Sequence, residues 1–100
     1  MQHTTEYHEG VFTATMNGSF TFTDNQVFRL ILQEIDKQPV TEIVFDLSAV
    51  DFVDSAALGM LLLLRDISQK KRAAVILKGA SGQVRKMFDV SKFGQLFKVV

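Results

Sequence analysis

The hydrophobic and polar positions first follow the two-residue period of a β-strand. From residue 11 to 16, a phenylalanine, an alanine and a methionine share one side, and a valine and two threonines share the other. This alternation predicts a half-buried strand. Asn17-Gly18 is a turn dipeptide, and residues 19–23 alternate again. The pattern therefore predicts a β-hairpin, preceded by a short polar lead-in at residues 1–9.

After residue 24 the pattern changes. It predicts helices, from apolar residues at helical spacing, and short apolar strands between them. Apolar residues recur at helical spacing from residue 25 to 37, where Thr23 or Asp24 can cap the helix and Pro39 ends it. The other predicted elements are strands at 42–47 and 73–77, helices at about 55–69 and 81–88, and a final strand or docked tail at 93–100. The apolar run IVF in the first of these strands predicts a strand covered on both faces.

The order of these elements predicts the fold class. Strands that alternate with helices imply crossover connections and parallel strand pairs. We therefore expect an α/β fold in which residues 1–100 form a single domain, with helices packed against a mixed β-sheet of four or five strands.

Composition narrows the class of protein without identifying a chemistry. Hydrophobic residues make up 47% of the chain, and 11 lysines and arginines balance 11 aspartates and glutamates. Zero net charge gives no general reason to bind nucleic acid or anionic lipid. There is no cysteine, the first ten residues lack the apolar core of a signal peptide, and the longest apolar run, residues 60–64, is far shorter than a membrane span of ~20 residues. We expect a cytoplasmic protein without membrane insertion.

A polar pair interrupts the apolar pattern at a predicted strand-to-helix junction. Asp54 and Ser55 precede the leucine-rich helix, and either residue can cap it, since Asp and Ser are common N-caps. On a helical wheel Ser55, Gly59 and Leu62 lie opposite the core stripe, with Leu58 beside them. The two leucines either form an apolar rim for a partner or are covered by another layer of the same domain.

The Ser55 hydroxyl is also a candidate for modification. Phosphorylation would add about −1.5 to −2 charges at a helix N-terminus. Free N–H donors and the helix dipole tolerate a phosphate there, whereas Asp54 and Asp51 would repel it. A partner would then meet a hydrated dianion in place of a small neutral surface, so such a switch needs little refolding.

Residues 46–66, DLSAVDFVDSAALGMLLLLRD, closely resemble the signature of STAS domains, the fold of bacterial anti-sigma factor antagonists. The shared features are Asp-Leu-Ser, a short apolar turn, Asp-Ser, two small residues, and Leu-Gly before a leucine-rich helix. Gly18, the helix before Pro39, the AAVIL strand with Gly79 and the VRKMF helix also follow in family order. The resemblance covers nearly the whole chain.

The resemblance implies a phosphorylation-regulated protein-binding switch. In that family a serine kinase phosphorylates the serine directly after the aspartate, here Ser55, and a phosphatase reverses the reaction. The unphosphorylated form binds the kinase-like anti-sigma factor. The implied partners are a serine kinase/anti-sigma factor and a phosphatase, or another response-regulator pathway protein. The predicted partner-binding residues are Thr21, Asp24, Asp54, Ser55, Ala56, Leu58, Gly59 and Leu62.

Two departures from the family pattern concern the partner. Many relatives carry an aspartate on the second strand where Thr21 stands here, and some end in a longer final helix. The Phe-x-Phe pattern at residues 20–22 resembles a branch whose members serve other phosphorelays controlling motility or biofilm behaviour. The alternative function is a non-phosphorylated STAS interaction subunit of a larger sensory, motility, biofilm or envelope complex. The oligomeric state is open.

The residues argue against an enzyme. Ser55 lacks the flanking glycines of a Gly-x-Ser-x-Gly nucleophile elbow, and the only histidines, His3 and His8, lie in the polar lead-in. Two histidines without suitably spaced partners do not make a metal site, and there is no glycine-rich phosphate loop with its lysine. We therefore expect no catalytic residue, no metal and no cofactor.

Overall fold

Five β-strands and three α-helices alternate along the chain in the computed structural model, which describes residues 1–100. In chain order they are β1 (Gln2–His8), β2 (Val11–Phe20), α1 (Asn25–Asp36), β3 (Glu42–Val53), α2 (Ser55–Lys71), β4 (Ala74–Lys78), α3 (Gly82–Val90) and β5 (Lys98–Val99). Single turns of 3-10 helix lie at Phe22–Asp24 and Phe93–Gln95. The predicted α/β fold is confirmed.

All five strands belong to one mixed sheet, in the order β1-β2-β3-β4-β5. β1 pairs with β2 in antiparallel fashion, and the three other pairs are parallel. A helix lies between the strands of each parallel pair, as the alternating pattern predicts. The C-terminal segment, for which the sequence allowed a strand or a docked tail, forms the short edge strand β5.

The hairpin lies one strand earlier than the sequence pattern predicts. Its turn is Glu9-Gly10, where both residues have positive φ, 48° and 85°, as a two-residue turn that matches the strand twist requires. The predicted lead-in is therefore wrong, since it forms the edge strand β1. Asn17-Gly18 lies inside β2 and makes no turn, because both residues pair with β3 and the strand continues to Phe20.

Side chains of β1 connect this polar strand to α1 and the residues after it. The Thr5 hydroxyl donates to Glu34 at 3.2 Å, and the Tyr7 hydroxyl donates to the backbone carbonyl of Pro39. These bonds and the ladder with β2 stabilise a strand that buries no residue completely. A hydrophobicity pattern therefore contains no signal for β1.

The hydrophobic core lies on one face of the sheet. Along β3, Ile43, Phe45 and Leu47 are fully buried, whereas Val44 is only partly buried. β4 repeats this alternation, with Leu77 fully buried. The prediction that β3 is covered on both faces is wrong, because between residues 42 and 48 the residues that alternate with the buried ones stay partly or fully exposed.

Phe28 packs α1 against the centre of the sheet. Its ring centroid lies 5.2 Å from that of Phe20 and 5.7 Å from that of Phe45. Both distances are in the range of favourable aromatic pairs. The contacts fix the first turns of α1 beside the end of β2.

β3 continues well beyond residue 47, where the apolar pattern predicts its end. β4 pairs with it only as far as Asp46, opposite Lys78. β2 follows it to Val53 across two register shifts, and at each shift the extra residue is in β3. β3 therefore extends seven residues (47–53) past its last pair with β4, and α2 begins two residues after the end of β3.

Gly79→Ala is expected to destabilise the domain more than Gly18→Ala. Both glycines have positive φ, 79° and 81°, so alanine strains the backbone at either position by about 1–2 kcal/mol. A Cβ at Gly79 would also lie 2.8 Å from the Cβ of Ser48, whereas a Cβ at Gly18 would meet nothing within 4 Å. We expect Gly79→Ala to lose a further ~1–3 kcal/mol in the free energy of unfolding, measured with urea. Equal losses in the two variants would contradict this.

The stability of the domain is expected to depend on Asp46 in acid. The backbone N–H and the hydroxyl of Ser48 donate to this carboxylate at 3.0 and 2.7 Å and lower the pKa of Asp46, with burial opposing them and Lys78 assisting. A carboxyl whose pKa is lowered by folding stabilises the fold above its unfolded pKa of about 3.9, and this contribution is lost as the pH falls through the folded pKa.

Urea midpoints measured between neutral pH and about pH 2 test this dependence. Asp46→Asn should be less stable than the wild type at neutral pH, and the difference should close in acid. Asp51→Asn removes an exposed aspartate from the same strand and is the control. A difference between Asp46→Asn and the wild type that persists in acid would show that charge is not its cause.

Candidate functional site

The carboxylate of Asp54 caps α2 and bonds the turn that follows β2. Its Oδ1 accepts the N–H of Ala57 at 2.8 Å, and its Oδ2 accepts the N–H of Phe22 at 3.1 Å. An N-cap carboxylate pairs a donor that the helix leaves unsatisfied and complements the helix dipole. Of the two residues that the sequence offered as the cap, Asp54 is the one that acts.

Ser55 is the first residue of α2 and is exposed to solvent. Because Asp54 provides the cap, the Ser55 hydroxyl is not needed at the helix start, and it makes no side-chain hydrogen bond within the domain. Ala56 beside it is small and partly exposed. The junction thus presents a free hydroxyl at the positive end of a 17-residue helix.

A capping box fixes the turn that faces this junction. The N–H of Thr21 donates to Asp24 Oδ2 at 2.9 Å, and the amino group of Met1 pairs with Asp24 Oδ1 at 3.1 Å. Asp24 is only 7% exposed, so its expected place on a partner-binding surface is wrong: its carboxylate bonds groups inside the domain. Thr21 is partly exposed and lies next to Phe22, which bonds Asp54.

Gln83 of α3 bonds the last residue of β3 through both of its amide atoms. Its Nε2 donates to the Val53 carbonyl at 2.8 Å, and its Oε1 accepts the Val53 N–H at 2.9 Å. Val53 directly precedes Asp54, so these bonds fix the backbone on which the cap depends. The sequence alone does not reveal Gln83, because it lies 30 positions from Val53 and belongs to no local motif.

The outer face of α2 carries small and apolar residues near Ser55. Gly59 and Leu62 are exposed, as the helical wheel predicts, and Leu62 is 40% exposed. Leu58 is not on this surface: it is only 9% exposed and belongs to the core, so the domain itself covers it. A Cβ at Gly59 would meet no atom within 4 Å, so internal packing does not require glycine there.

Two exposed phenylalanines that are not among the predicted partner-binding residues lie near the junction in the chain. Phe22, 65% exposed, bonds Asp54 through its N–H, and Phe52, 43% exposed, lies near the end of β3. We give Phe22, Phe52 and Leu62 one name, the junction patch, because they are the exposed apolar residues of the three segments that meet at or leave the junction: the turn after β2, the end of β3 and the outer face of α2. The alternating pattern assigned Phe22 to a strand, but β2 ends at Phe20 and the chain turns there. Where exposed apolar residues form a contiguous surface, that surface is typical of one that binds a partner.

The remaining candidate groups do not join this site. His3 and His8 are exposed on β1, and neither bonds Ser55. None of the helices combines the length and the apolar composition that crossing a membrane requires.

The fold and the junction together define a class of protein. It is a single α/β domain with a mixed five-stranded sheet, in which β3 is followed by a helix that begins with an exposed serine. The sequence pattern of the STAS domain matches residues 3–100. A STAS-domain containing protein of Pseudomonas aeruginosa (strain UCBPP-PA14) is 40% identical over 87 residues, which cover 87% of this chain and 85% of that protein. The chain belongs to the STAS domain family.

Solved structures of anti-sigma factor antagonists share the fold. One from Mycobacterium paratuberculosis matches with a TM-score of 0.83 and 19% identity, over 98% of this chain and 83% of the other. The antagonist SpoIIAA in its unphosphorylated form matches with a TM-score of 0.78 and 19% identity, over 99% of this chain and 87% of the other. Bacillus SpoIIAA in the phosphorylated form matches with a TM-score of 0.77 and 20% identity, over 99% of this chain and 91% of the other.

Asp54 and Ser55 are expected to differ sharply in what they contribute to stability. Asp54→Ala removes the acceptor of two backbone N–H groups and should lower the free energy of unfolding by about 1–2 kcal/mol. Ser55→Ala removes no hydrogen bond and should stay within about 0.5 kcal/mol of the wild type. The free energy of unfolding of both variants is measured by urea denaturation. If Ser55→Ala loses as much stability as Asp54→Ala, the Ser55 hydroxyl has a structural role.

Proposed function

We propose that this domain is a phosphorylation-regulated protein-binding switch of the anti-sigma factor antagonist type. With Ser55 unphosphorylated, it binds a serine kinase/anti-sigma factor or a related regulator. Phosphorylation of Ser55 releases that partner, and a phosphatase restores binding. The observation that carries the proposal is the division of roles at the junction: Asp54 caps α2, and the neighbouring hydroxyl is exposed and unused by the fold.

A phosphate on Ser55 is compatible with the folded domain. The unpaired N–H groups of the first turn of α2 and the helix dipole favour a negative group at this position. The carboxylates of Asp54 and Asp51 oppose it through like charge. SpoIIAA resembles this chain almost equally in its unphosphorylated and phosphorylated forms, with TM-scores of 0.78 and 0.77. That likeness supports a switch in which the fold stays intact.

The charge would act on the partner rather than on the domain. The junction patch offers apolar contact area, and the small residues Ala56 and Gly59 allow close approach to the backbone of α2. A phosphoserine carries about −1.5 to −2 charges. A partner that packs over Ser55 must remove water from this dianion, which is costly unless the partner pairs it. Phosphorylation should therefore weaken binding while leaving the shape of the surface unchanged.

The domain is in this proposal the substrate of a kinase and not an enzyme. The competing function is a constitutive interaction subunit that uses the same patch, with Ser55 never modified. The two functions assign the same surface to the partner and differ only in the role of one hydroxyl. Ser55 itself therefore discriminates between them.

We expect a phosphoryl group on Ser55 in native cells. The protein is isolated from those cells and mapped by peptide mass spectrometry, with and without phosphatase treatment. Ser48, exposed but hydrogen-bonded to Asp46, is the internal control and should stay unmodified. Absence of phosphate from Ser55 across growth conditions in which the protein is expressed would favour the constitutive subunit.

Binding then tests the switch with the partner that a Ser55→Ala bait captures from the same cells. Ser55→Asp should lower its affinity at least about ten-fold, or about 1.4 kcal/mol, without changing the urea midpoint of the domain. Leu62→Glu should also weaken binding, because it charges the junction patch. Leu30→Glu is the matched control, since Leu30 is 63% exposed on α1 and lies outside the patch. Equal affinity of all four variants would contradict the proposed function.

A further inference from the structure

The end of β3 is bonded by a side chain where a neighbouring strand is missing. β4 stops pairing with β3 at Asp46, so Val53 lies beyond the reach of that strand. Gln83, in the first turn of α3, bonds both the N–H and the carbonyl of Val53. A primary amide presents a donor and an acceptor side by side, so it can take the place of a peptide group in a neighbouring strand.

Asp54, the residue after Val53, connects the end of β3 to two further elements. The backbone of Asp54 is extended, with φ −105° and ψ 178°, which is the usual geometry of an N-cap. From this position its carboxylate reaches Ala57 in α2 and Phe22 after β2. Hydrogen bonds from α3 to Val53, the peptide bond from Val53 to Asp54, and the hydrogen bonds of the Asp54 carboxylate therefore connect α3 to both sides of the junction.

We infer that Gln83 is the positioning residue of the Ser55 site. It fixes the end of β3, and thereby the cap of α2 and the direction of the Ser55 hydroxyl. Gln83 and its bonds are partly buried, so water replaces them poorly when the side chain is removed. The geometric part of this inference is independent of the proposed function, and its consequence for Ser55 modification rests on that function.

Amide hydrogen exchange in the full chain tests whether Gln83 acts beyond its own contact. In Gln83→Ala the Val53 N–H should lose protection about ten-fold or more. The decisive amides are those of Ala57 and Phe22, which bond Asp54 and not Gln83. Both should lose protection together, while Leu64, in the middle of α2, reports the stability of the whole domain.

Two further variants separate positioning from general damage to α3. Lys86→Ala alters an exposed side chain of the same helix and should leave the Ala57 and Phe22 amides unchanged. Gln83→Glu keeps the size of the side chain but loses the amide donor at neutral pH, so it should resemble Gln83→Ala. In acid a protonated carboxyl again carries a donor and an acceptor. Because other carboxylates of the domain also change in acid, the comparison is with Gln83→Ala at the same pH, and both amides should there be better protected, relative to Leu64, in Gln83→Glu than in Gln83→Ala.

The pattern of lost protection decides the inference. If only Val53 responds, Gln83 stabilises one residue and does not position the site. If Ala57, Phe22 and Leu64 lose protection equally in both Gln83 variants, the effect is general destabilisation and the inference is overturned.

Phosphorylation of Ser55 in native cells gives the functional readout. The phosphorylated fraction of Gln83→Ala should be at least about three-fold below that of Lys86→Ala at equal protein level, because a kinase requires a correctly oriented hydroxyl. Equal fractions would overturn the functional part of the inference. If wild-type Ser55 carries no phosphate at all, the proposed function fails while the exchange result still decides the role of Gln83.

Discussion

The Asp54 carboxylate accepts one backbone N–H from α2 and one from the turn after β2, so a single side chain fixes the point where three elements meet. The position of the helix start, the path of the Phe22 turn and the exposure of the next residue all depend on it. Since Asp54 caps the helix by accepting the Ala57 N–H, the Ser55 hydroxyl is not needed as the cap and makes no hydrogen bond within the domain. The fold thereby leaves the Ser55 hydroxyl exposed by assigning the structural role to the residue beside it.

The one-sided sheet explains why this junction is accessible. The helices cover one face of the strands, and β3 extends beyond the last residue that β4 pairs. Its end is consequently paired with β2 on one side, as far as Val53, and bonded by the Gln83 amide on the other. On that second side one side chain takes the place of a strand ladder, and Phe22 and Phe52 near this end of the sheet are exposed.

Membership of the STAS domain family agrees with this geometry and also draws attention to what is particular to this chain. Thr21, at the position where the resemblance leads us to expect an aspartate in many relatives, lies just after β2 and forms part of the capping box with Asp24. The nearest carboxylate of that segment is thus buried and already hydrogen-bonded. In the turn after β2, the exposed apolar side chain is that of Phe22.

The sequence alone determined the elements whose apolar residues follow a clear period. The stripe of α1, the alternation of β2 and the leucine-rich start of α2 each record burial of one face, and the motif at Asp54-Ser55 located the candidate site. The sequence could not reveal β1, because the stability of this strand comes from hydrogen bonds to β2 and α1. Nor could the sequence decide that Asn17-Gly18 is part of a strand. Only the tertiary structure decided that Leu58 is covered, that Asp24 is buried and that Gln83 bonds Val53. These outcomes depend on contacts between segments far apart in the chain, and periodicity within one segment carries no information about what another segment will place against it.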